Sequence, residues 1–419
     1  MDDEEAKIIA EEYKTWRDNA IPLYDILYST ALKWPTLTTQ WLPDVRQVPG
    51  KEMRRHRLLL GTHTSNQDRE LIQIVHLDIA NPKPATVADY DANTEELGGY
   101  GASRDPMSWE VVQTIVHPTE VNRARYQPQN PNIIASWASN CNLYIWDRTK
   151  HSSNPSSNDA KPQATLSGHT AEGFALDWNS YMEGQLISGS NDSTVKLWDL
   201  VVDFTPDNKD IEAQTTYAHH SASVNDVQFH PKFGKELFGS VSDDLSVAFV
   251  DMRTSSTDRP AITFENAHSA AINSLAFHPK MESLFATASD DKTVGVFDLR
   301  FPSKGRLHTL DGHKQVVTKV EWHPTDSSIL ASSSDDRRVI IWDMSRVGME
   351  QMPEEAEEGV PELLFMHAGN ASKLTDFSWN PNDPWVLCSA SDNNVFQVWR
   401  PTRHVVDAKP RTFTKETLE

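Results

Sequence analysis

The sequence predicts an all-β protein: a closed ring of seven four-stranded blades, with one α-helix ahead of it and an acidic loop inserted late in the chain. Three observations lead there. The tripeptide Leu197–Trp198–Asp199 recurs as Ile145–Trp146–Asp147 and Ile341–Trp342–Asp343. A histidine stands 29 residues ahead of an aromatic residue in four places, His117 to Trp146, His169 to Trp198, His268 to Phe297 and His313 to Trp342, while His220 to Val250 is 30 and His367 to Trp399 is 32. Within each repeat a hydroxyl lies four residues before a turn Asp or Asn: Ser136 and Asn140, Ser188 and Asp192, Ser240 and Asp244, Thr287 and Asp291, Ser332 and Asp336, Ser389 and Asn393. A fixed period of this length and signature is that of the WD40 unit, one four-stranded element copied around an array.

At the start of the chain, Ala6, Ile9, Tyr13, Trp16 and Ala20 recur at three- and four-residue steps among Glu11, Glu12, Lys14 and Arg17, the spacing of an amphipathic helix. Pro22 is expected to end or kink it, and Leu23, Tyr24, Ile26, Leu27 and Ala31 follow as a second apolar stretch. The first blade is degenerate, with Leu37–Trp41, Leu58–Thr62 and Leu71–Leu77 as its strands. Six regular units begin at His117, His169, His220, His268, His313 and His367. Each alternates apolar segments, such as Ala271–Phe277, Ser283–Ser289 and Thr293–Asp298, with turn-formers such as His278–Pro279 or Asp290–Asp291. Because an open ring would expose a sheet edge, a further segment must close the last blade, and Ala31–Pro35 is expected to do so. The domain plan is therefore a helical segment over 1–30, a propeller over 31–404 with an acidic insertion at 345–363, and a tail over 405–419. The loops 81–108 and 148–161, rich in Asn, Ser, Pro and Asp, read as connections.

The insertion runs Pro353–Glu354–Glu355–Ala356–Glu357–Glu358–Gly359–Val360–Pro361–Glu362 and continues as Leu363–Leu364–Phe365–Met366. A solvated loop accounts for the carboxylates but not for the long apolar run beside them. Charge next to hydrophobe suits an amphipathic basic helix laid in a groove.

Net charge is −21, from 39 basic and 60 acidic residues. Direct nucleic-acid binding needs a basic face, so none is expected, and a basic partner is the natural complement. No run approaches a membrane span, and the acidic start has no apolar core like that of a secretory signal. Two cysteines, Cys141 and Cys388, exclude a disulfide framework and offer no zinc cluster, which fits a reducing compartment. A single His, Ser and Asp set could suggest a hydrolase triad, but an enzyme needs one such set, whereas a propeller needs one per blade. Gly99–Tyr100–Gly101 has Arg104 where a dinucleotide fingerprint needs its third glycine, and no Walker loop, zinc-protease helix or nucleophile elbow occurs. Neither catalysis nor a cofactor or metal is expected.

Several runs are more specific than the WD40 pattern: Leu32–Lys33–Trp34–Pro35 with Thr39–Gln40–Trp41–Leu42–Pro43–Asp44–Val45, Leu60–Gly61–Thr62–His63–Thr64–Ser65, Glu120–Val121–Asn122–Arg123–Ala124–Arg125–Tyr126, Pro361–Glu362–Leu363–Leu364–Phe365, and Asp376–Phe377–Ser378–Trp379–Asn380–Pro381. In these the chain resembles the retinoblastoma-binding, MSI-type WD40 histone chaperones over nearly its whole length. The resemblance implies a nuclear subunit, with a possible cytoplasmic pool, shared by type B histone acetyltransferase, chromatin assembly, deacetylase, remodelling and Polycomb complexes. In a fission-yeast branch it implies loading of CENP-A at centromeric chromatin. It also implies a grip on the first helix of histone H4, in company with H3 or CENP-A, between the N-terminal helix and the acidic loop. The matching positions are Leu23, Ile26, Leu27, Glu355, Glu357, Glu358, Leu364, Phe365 and Met366.

A second site implied by the resemblance takes basic peptides, from the H3 tail or from adaptor and catalytic subunits, on one face of the channel. Its positions here are His63, Glu120, Asn122, Arg123, Glu172, Asp243, Asn273, Lys373 and Asp392. The chain departs from the family pattern at Phe174, which replaces an aromatic hydroxyl, and at Asn225, Val316 and Lys33, which replace acids. Fewer charge-assisted bonds should loosen the hold on Arg and Lys. A rival reading, the WD40 substrate receptor of a ubiquitin ligase, calls for an arginine cluster on that face, where the matched positions are mostly acidic or amide.

Overall fold

The computed structural model describes residues 3–81, 90–91, 96–97, 107–203, 209–353 and 359–406. Among them, seven antiparallel blades stand around a channel, and a two-stranded ribbon pairs Tyr90–Asp91 with Glu96–Leu97. The first blade consists of Thr39–Gln47, Met53–Gly61, Glu70–Ala80 and Ser108–His117, so its fourth strand begins within the stretch expected to be loop. The first strands of the next six blades are Val121–Gln127, Ala175–Trp178, Val224–Phe229, Ile272–Phe277, Val317–Trp322 and Leu374–Trp379. First strands of neighbouring blades lie side by side all the way round, and the last returns to Thr39–Gln47. Cores of Trp, Phe and β-branched residues fill the space between blades.

The seventh blade takes its fourth strand from near the N-terminus. β1 (Tyr24–Ala31) pairs antiparallel with Val395–Pro401, from Ala31 opposite Val395 to Tyr24 opposite Pro401. The closing segment is thus Tyr24–Ala31 and not Ala31–Pro35, and the span 1–30 holds helix α1 (Asp3–Leu23) followed by most of that strand. Pro22 sits in the last turn of α1, where it ends the helix at the next residue. Beyond it, Tyr24 and Ile26 are both buried, as the closing strand of a sheet requires.

Recurring polar sets tie each blade together. In the third blade His169 Nδ1 meets Asp192 Oδ2 at 2.9 Å and Nε2 meets Ser188 Oγ at 2.9 Å, while Trp198 Nε1 donates to the same Oγ at 2.9 Å. The pairs His220 with Asp244, His268 with Asp291 and His313 with Asp336 repeat the 2.9 Å contact. The histidine therefore stands between strand hydroxyl and turn carboxylate. Burial alone would raise Asp192, Asp244 and Asp291, yet the histidine and turn-hydroxyl hydrogen bonds hold all three well below the usual carboxylate range. The second blade departs from the pattern: His117 Nδ1 turns to Thr119 O, and Asn140 Nδ2 donates to Tyr144 OH at 2.8 Å.

A first strand exposes an edge of unpaired N–H groups to the channel, and such groups need partners. Side chains of the preceding blade supply them. Asp177 Oδ2 accepts from Phe229 N at 2.8 Å, Asp226 Oδ2 from Leu275 N at 2.9 Å, Asp376 Oδ2 from Thr39 N at 2.7 Å and Gln40 Oε1 from Tyr126 N at 3.0 Å. These bonds stitch blade to blade around the channel wall.

Candidate functional site

Two surfaces gather the residues singled out by the sequence. The first is a groove on the side of the ring. Helix α1 lies along the sixth and seventh blades, with Ile9 and Ala20 buried and Glu12 bonded to Arg337 at 2.6 Å. Across from it, Leu363–His367 forms the outer strand of the sixth blade, and its register against Val339–Asp343 slips between Ile341 and Trp342. Phe365 lies opposite Ile341 and Leu363 opposite Trp342, so Leu364 is the extra residue of a bulge. The bulge re-aims the strand, and Leu364 and Phe365 both pack into one apolar cluster with Trp16, Ala20, Tyr24 and Leu27.

The structure sorts the other groove candidates. Leu23, at the end of α1, is 37% exposed, whereas Phe365 is 7% exposed and belongs mainly to the core. Ile26 faces the cluster shared with the first blade, and Met366 packs on the far side of the sixth blade with Val347 and Val360. Glu355, Glu357 and Glu358 lie outside the described residues. The feet of their loop are held by Gln351 Nε2, which donates to Gly359 O at 3.1 Å. Glu362, the last carboxylate of the insertion, turns inward to His308 Nε2 at 2.6 Å; burial would raise its carboxyl, but the His308 bond holds it below the ordinary range. Sequence reasoning missed Ile21, Met349 and Met352, exposed apolar side chains on α1 and on the near foot of the loop. Their signal was apolar character at positions with no strand to serve.

The second surface is the channel face, built from the loops entering each first strand and from the turns joining second to third strands. His63 Nδ1 lies 3.8 Å from Glu120 Oε1, and Asn122 Nδ2 donates to Glu172 Oε2 at 3.2 Å and Gly173 O at 3.3 Å. Arg123 Nε donates to Phe174 O at 2.7 Å. Asn225 Nδ2 donates to Asp243 Oδ1 at 2.7 Å and across the blade boundary to Ile272 O at 2.9 Å; Asn273 does the same with Asp290 Oδ1 and Val317 O. Both amides are boundary staples as well as surface groups. Lys373 Nζ bonds Asp335 Oδ2 at 2.5 Å, and the backbone N–H of Asp392 donates to Lys373 O at 3.1 Å. Asp290 and Asp335 went unnoticed in the sequence, although each directly precedes a turn Asp as Asp243 does. They restore carboxylates to a face that Asn225 and Val316 deplete. At Lys33 the ammonium is spoken for by Asp68 at 2.5 Å, to which Trp34 Nε1 also donates at 3.2 Å.

A family model for the histone-binding protein RBBP4, a component of the CAF1 complex, matches residues 11–81, and one described as "WD domain, G-beta repeat" matches 160–199, 259–298, 304–343 and 362–400. The chain is 51% identical over 419 residues to the histone acetyltransferase type B subunit 2 of Aspergillus oryzae, covering 99% of this chain and 95% of that protein. It is 49% identical over 425 residues to the protein of that name from Neurospora crassa, covering 100% and 94%. The chain belongs to the retinoblastoma-binding, MSI-type WD40 family. Its MSI-type signature, residues 11–81, spans most of α1, all of β1 and three strands of the first blade, so it falls on the N-terminal wall of the side groove.

Proposed function

We propose that this chain is a non-catalytic histone-binding subunit, a chaperone and scaffold that holds histone H4 and delivers it to histone-modifying and chromatin-assembly complexes in the nucleus. The observation that carries this reading is the side groove, where Leu27, Leu364 and Phe365 form an apolar wall beside the exposed Leu23, next to the loop that bears Glu355, Glu357 and Glu358. An amphipathic basic helix, such as the first helix of H4, meets both needs: its apolar face covers the wall, and its Arg and Lys reach the loop. Ile26 and Met366 support the two walls from behind. Relatives carry the name of a type B histone acetyltransferase subunit, which makes a catalytic partner chain the natural company for this one. The groove reads H4, and it serves equally whether H4 arrives with H3 or with CENP-A, including delivery to centromeric chromatin. A non-catalytic role is supported by the blade sets of His, Ser and Asp, whose hydrogen-bonding groups bind one another inside the blades. Titrating the purified chain with a peptide of the H4 first helix tests the reading: one-to-one binding is expected without any other subunit, and no binding ends it.

The channel face is the second site, for basic peptides such as the H3 tail, through Glu120, Glu172, Asp243 and Asp392 with Asp290 and Asp335 added. Phe174 is 38% exposed there. Val316→Glu with Phe174→Tyr is expected to strengthen H3-tail binding severalfold, since each charge-assisted hydrogen bond contributes about 1.5–3 kcal/mol before desolvation. Calorimetry with the two-site variant checks it, and an unchanged affinity would mean that these departures do not govern the face.

A further inference from the structure

The seventh blade breaks the polar pattern of its neighbours. Its turn residue Asn393 accepts from Ser391 Oγ at 2.7 Å within the turn, and its strand hydroxyl Ser389 takes Trp399 Nε1 at 3.3 Å without a histidine. The histidine that the other blades use in this place, His367, is turned elsewhere. Its Nε2 meets Gln397 Oε1 at 2.8 Å and its Nδ1 meets the hydroxyl of Tyr24 at 2.8 Å. The same hydroxyl accepts from Trp16 Nε1 at 2.9 Å. Gln397 Nε2 donates on to Gly369 O at 2.9 Å, and the Trp16 ring lies so close to Gly369 that a Cβ there would sit 2.5 Å from it.

Donor and acceptor roles follow from burial. His367 is fully buried, its pKa pushed down to about 3 by burial, so at neutral pH it carries one N–H; donation to the acceptor-only Gln397 Oε1 places that proton on Nε2. Nδ1 is then an acceptor, and the Tyr24 O–H donates to it. Tyr24 is 1% exposed and its ring meets Phe365 edge-on, with centroids 5.4 Å apart. One phenol thus joins α1 through Trp16, the sixth and seventh blades through His367, and the groove wall through Phe365. Little else ties down the second half of α1, where only Ala20 is buried between Trp16 and Leu23.

We propose that Tyr24 is a positioning residue of the histone groove: the phenol, held by His367 released from the blade pattern, sets where α1 and β1 stand against Leu364 and Phe365. This rests on the side-groove reading. Tyr24 has no exposed surface to touch a ligand, so it acts through the walls.

Tyr24→Phe removes the hydroxyl and keeps the ring. It leaves Trp16 Nε1 and His367 Nδ1 without their partner and is expected to weaken binding of an H4 first-helix peptide about tenfold, with α1 amides exchanging faster in the free protein. Ser188→Ala, which strips a hydroxyl from a polar set in the third blade, serves as the control for general loss of stability; it should lower the denaturation midpoint to a similar degree and leave H4 affinity and α1 exchange unchanged. Leu27→Glu reports on the groove itself. If Leu27→Glu weakens H4 binding and Tyr24→Phe does not, the positioning role is wrong and the groove stands. If neither weakens it, the groove reading has failed. Equal losses from Tyr24→Phe and Ser188→Ala would make the hydroxyl a matter of overall stability and overturn the proposal.

Discussion

Leu27→Glu is expected to weaken capture of the H4 first helix about a hundredfold while the ring stays folded. Leu27 is half-buried in the cluster that contains Leu364 and Phe365, at the edge open to a ligand. A carboxylate there has to be desolvated under the apolar face of the incoming helix, and losses at central contacts of this kind reach about 2–4 kcal/mol. This variant is cleaner than Phe365→Ala, because Phe365 is mostly core and its removal is expected to cost about 3–5 kcal/mol of folding stability as well. The loss from Leu27→Glu should change little with salt. By contrast, Glu357→Lys with Glu358→Lys should weaken binding more at low salt than at high salt, because attraction between exposed charges is screened. Wild-type affinity in Leu27→Glu would move the H4 site away from the groove.

The second large effect is acid unfolding that begins well above the carboxylate range. Burial pushes His56 and His117 down to about 4 and His367 down to about 3, from 6.5. Each is neutral in the folded ring, so below about pH 6.5 the unfolded chain takes up protons that the folded one refuses, and stability falls until the folded pKa is passed. At about 1.4 kcal/mol for each tenfold change in proton affinity, each histidine contributes a loss of roughly 3 kcal/mol, and three together rival the whole stability of an ordinary domain. Asp177, pushed up to about 7 by burial, works in the opposite sense, since the folded state binds its proton first. The turn carboxylates Asp192, Asp244 and Asp291 are depressed, so their contribution is present above the unfolded value and is lost only below about pH 3.9. Urea midpoints should therefore drop steadily between about pH 6.5 and 4.5, before those carboxylates titrate. A flat profile over that window would show that the buried histidines accept protons in place.

The ring was legible because a repeat announces itself many times: the 29-residue spacing, the strand hydroxyls and the turn acids each recur. The closing strand was not. Alternation of apolar residues over Tyr24–Ala31 marks a face to bury but not the strand it will pair with, and that partner, Val395–Pro401, lies at the far end of the sequence. The rewired blade had left a trace, since His367 to Trp399 is 32 residues where four other blades have 29. That number tells where the pattern fails and is silent about Tyr24, which meets His367 only in three dimensions. Ile26 and Met366 were placed in the groove by adjacency to Leu27 and Phe365. A strand sends neighbours to opposite faces, and only the bulge at Leu364 lets two successive residues serve the same side. Asp290 and Asp335 were readable in register with Asp243, but the rest of the channel face depends on which loops the ring brings together.

Closure by β1 also orders events during synthesis. Ala31 leaves the ribosome early, and its partner Val395 follows only after almost the entire propeller has been translated, some tens of seconds later at about 5–20 residues per second. Until then Tyr24 has no seventh blade to join, and the groove has one wall. A nascent or prematurely terminated chain that stops before Pro401 can fold most of its blades and still have no place for a histone helix. Only a finished molecule is competent to take up its cargo, so the capacity to bind reports that translation reached that point.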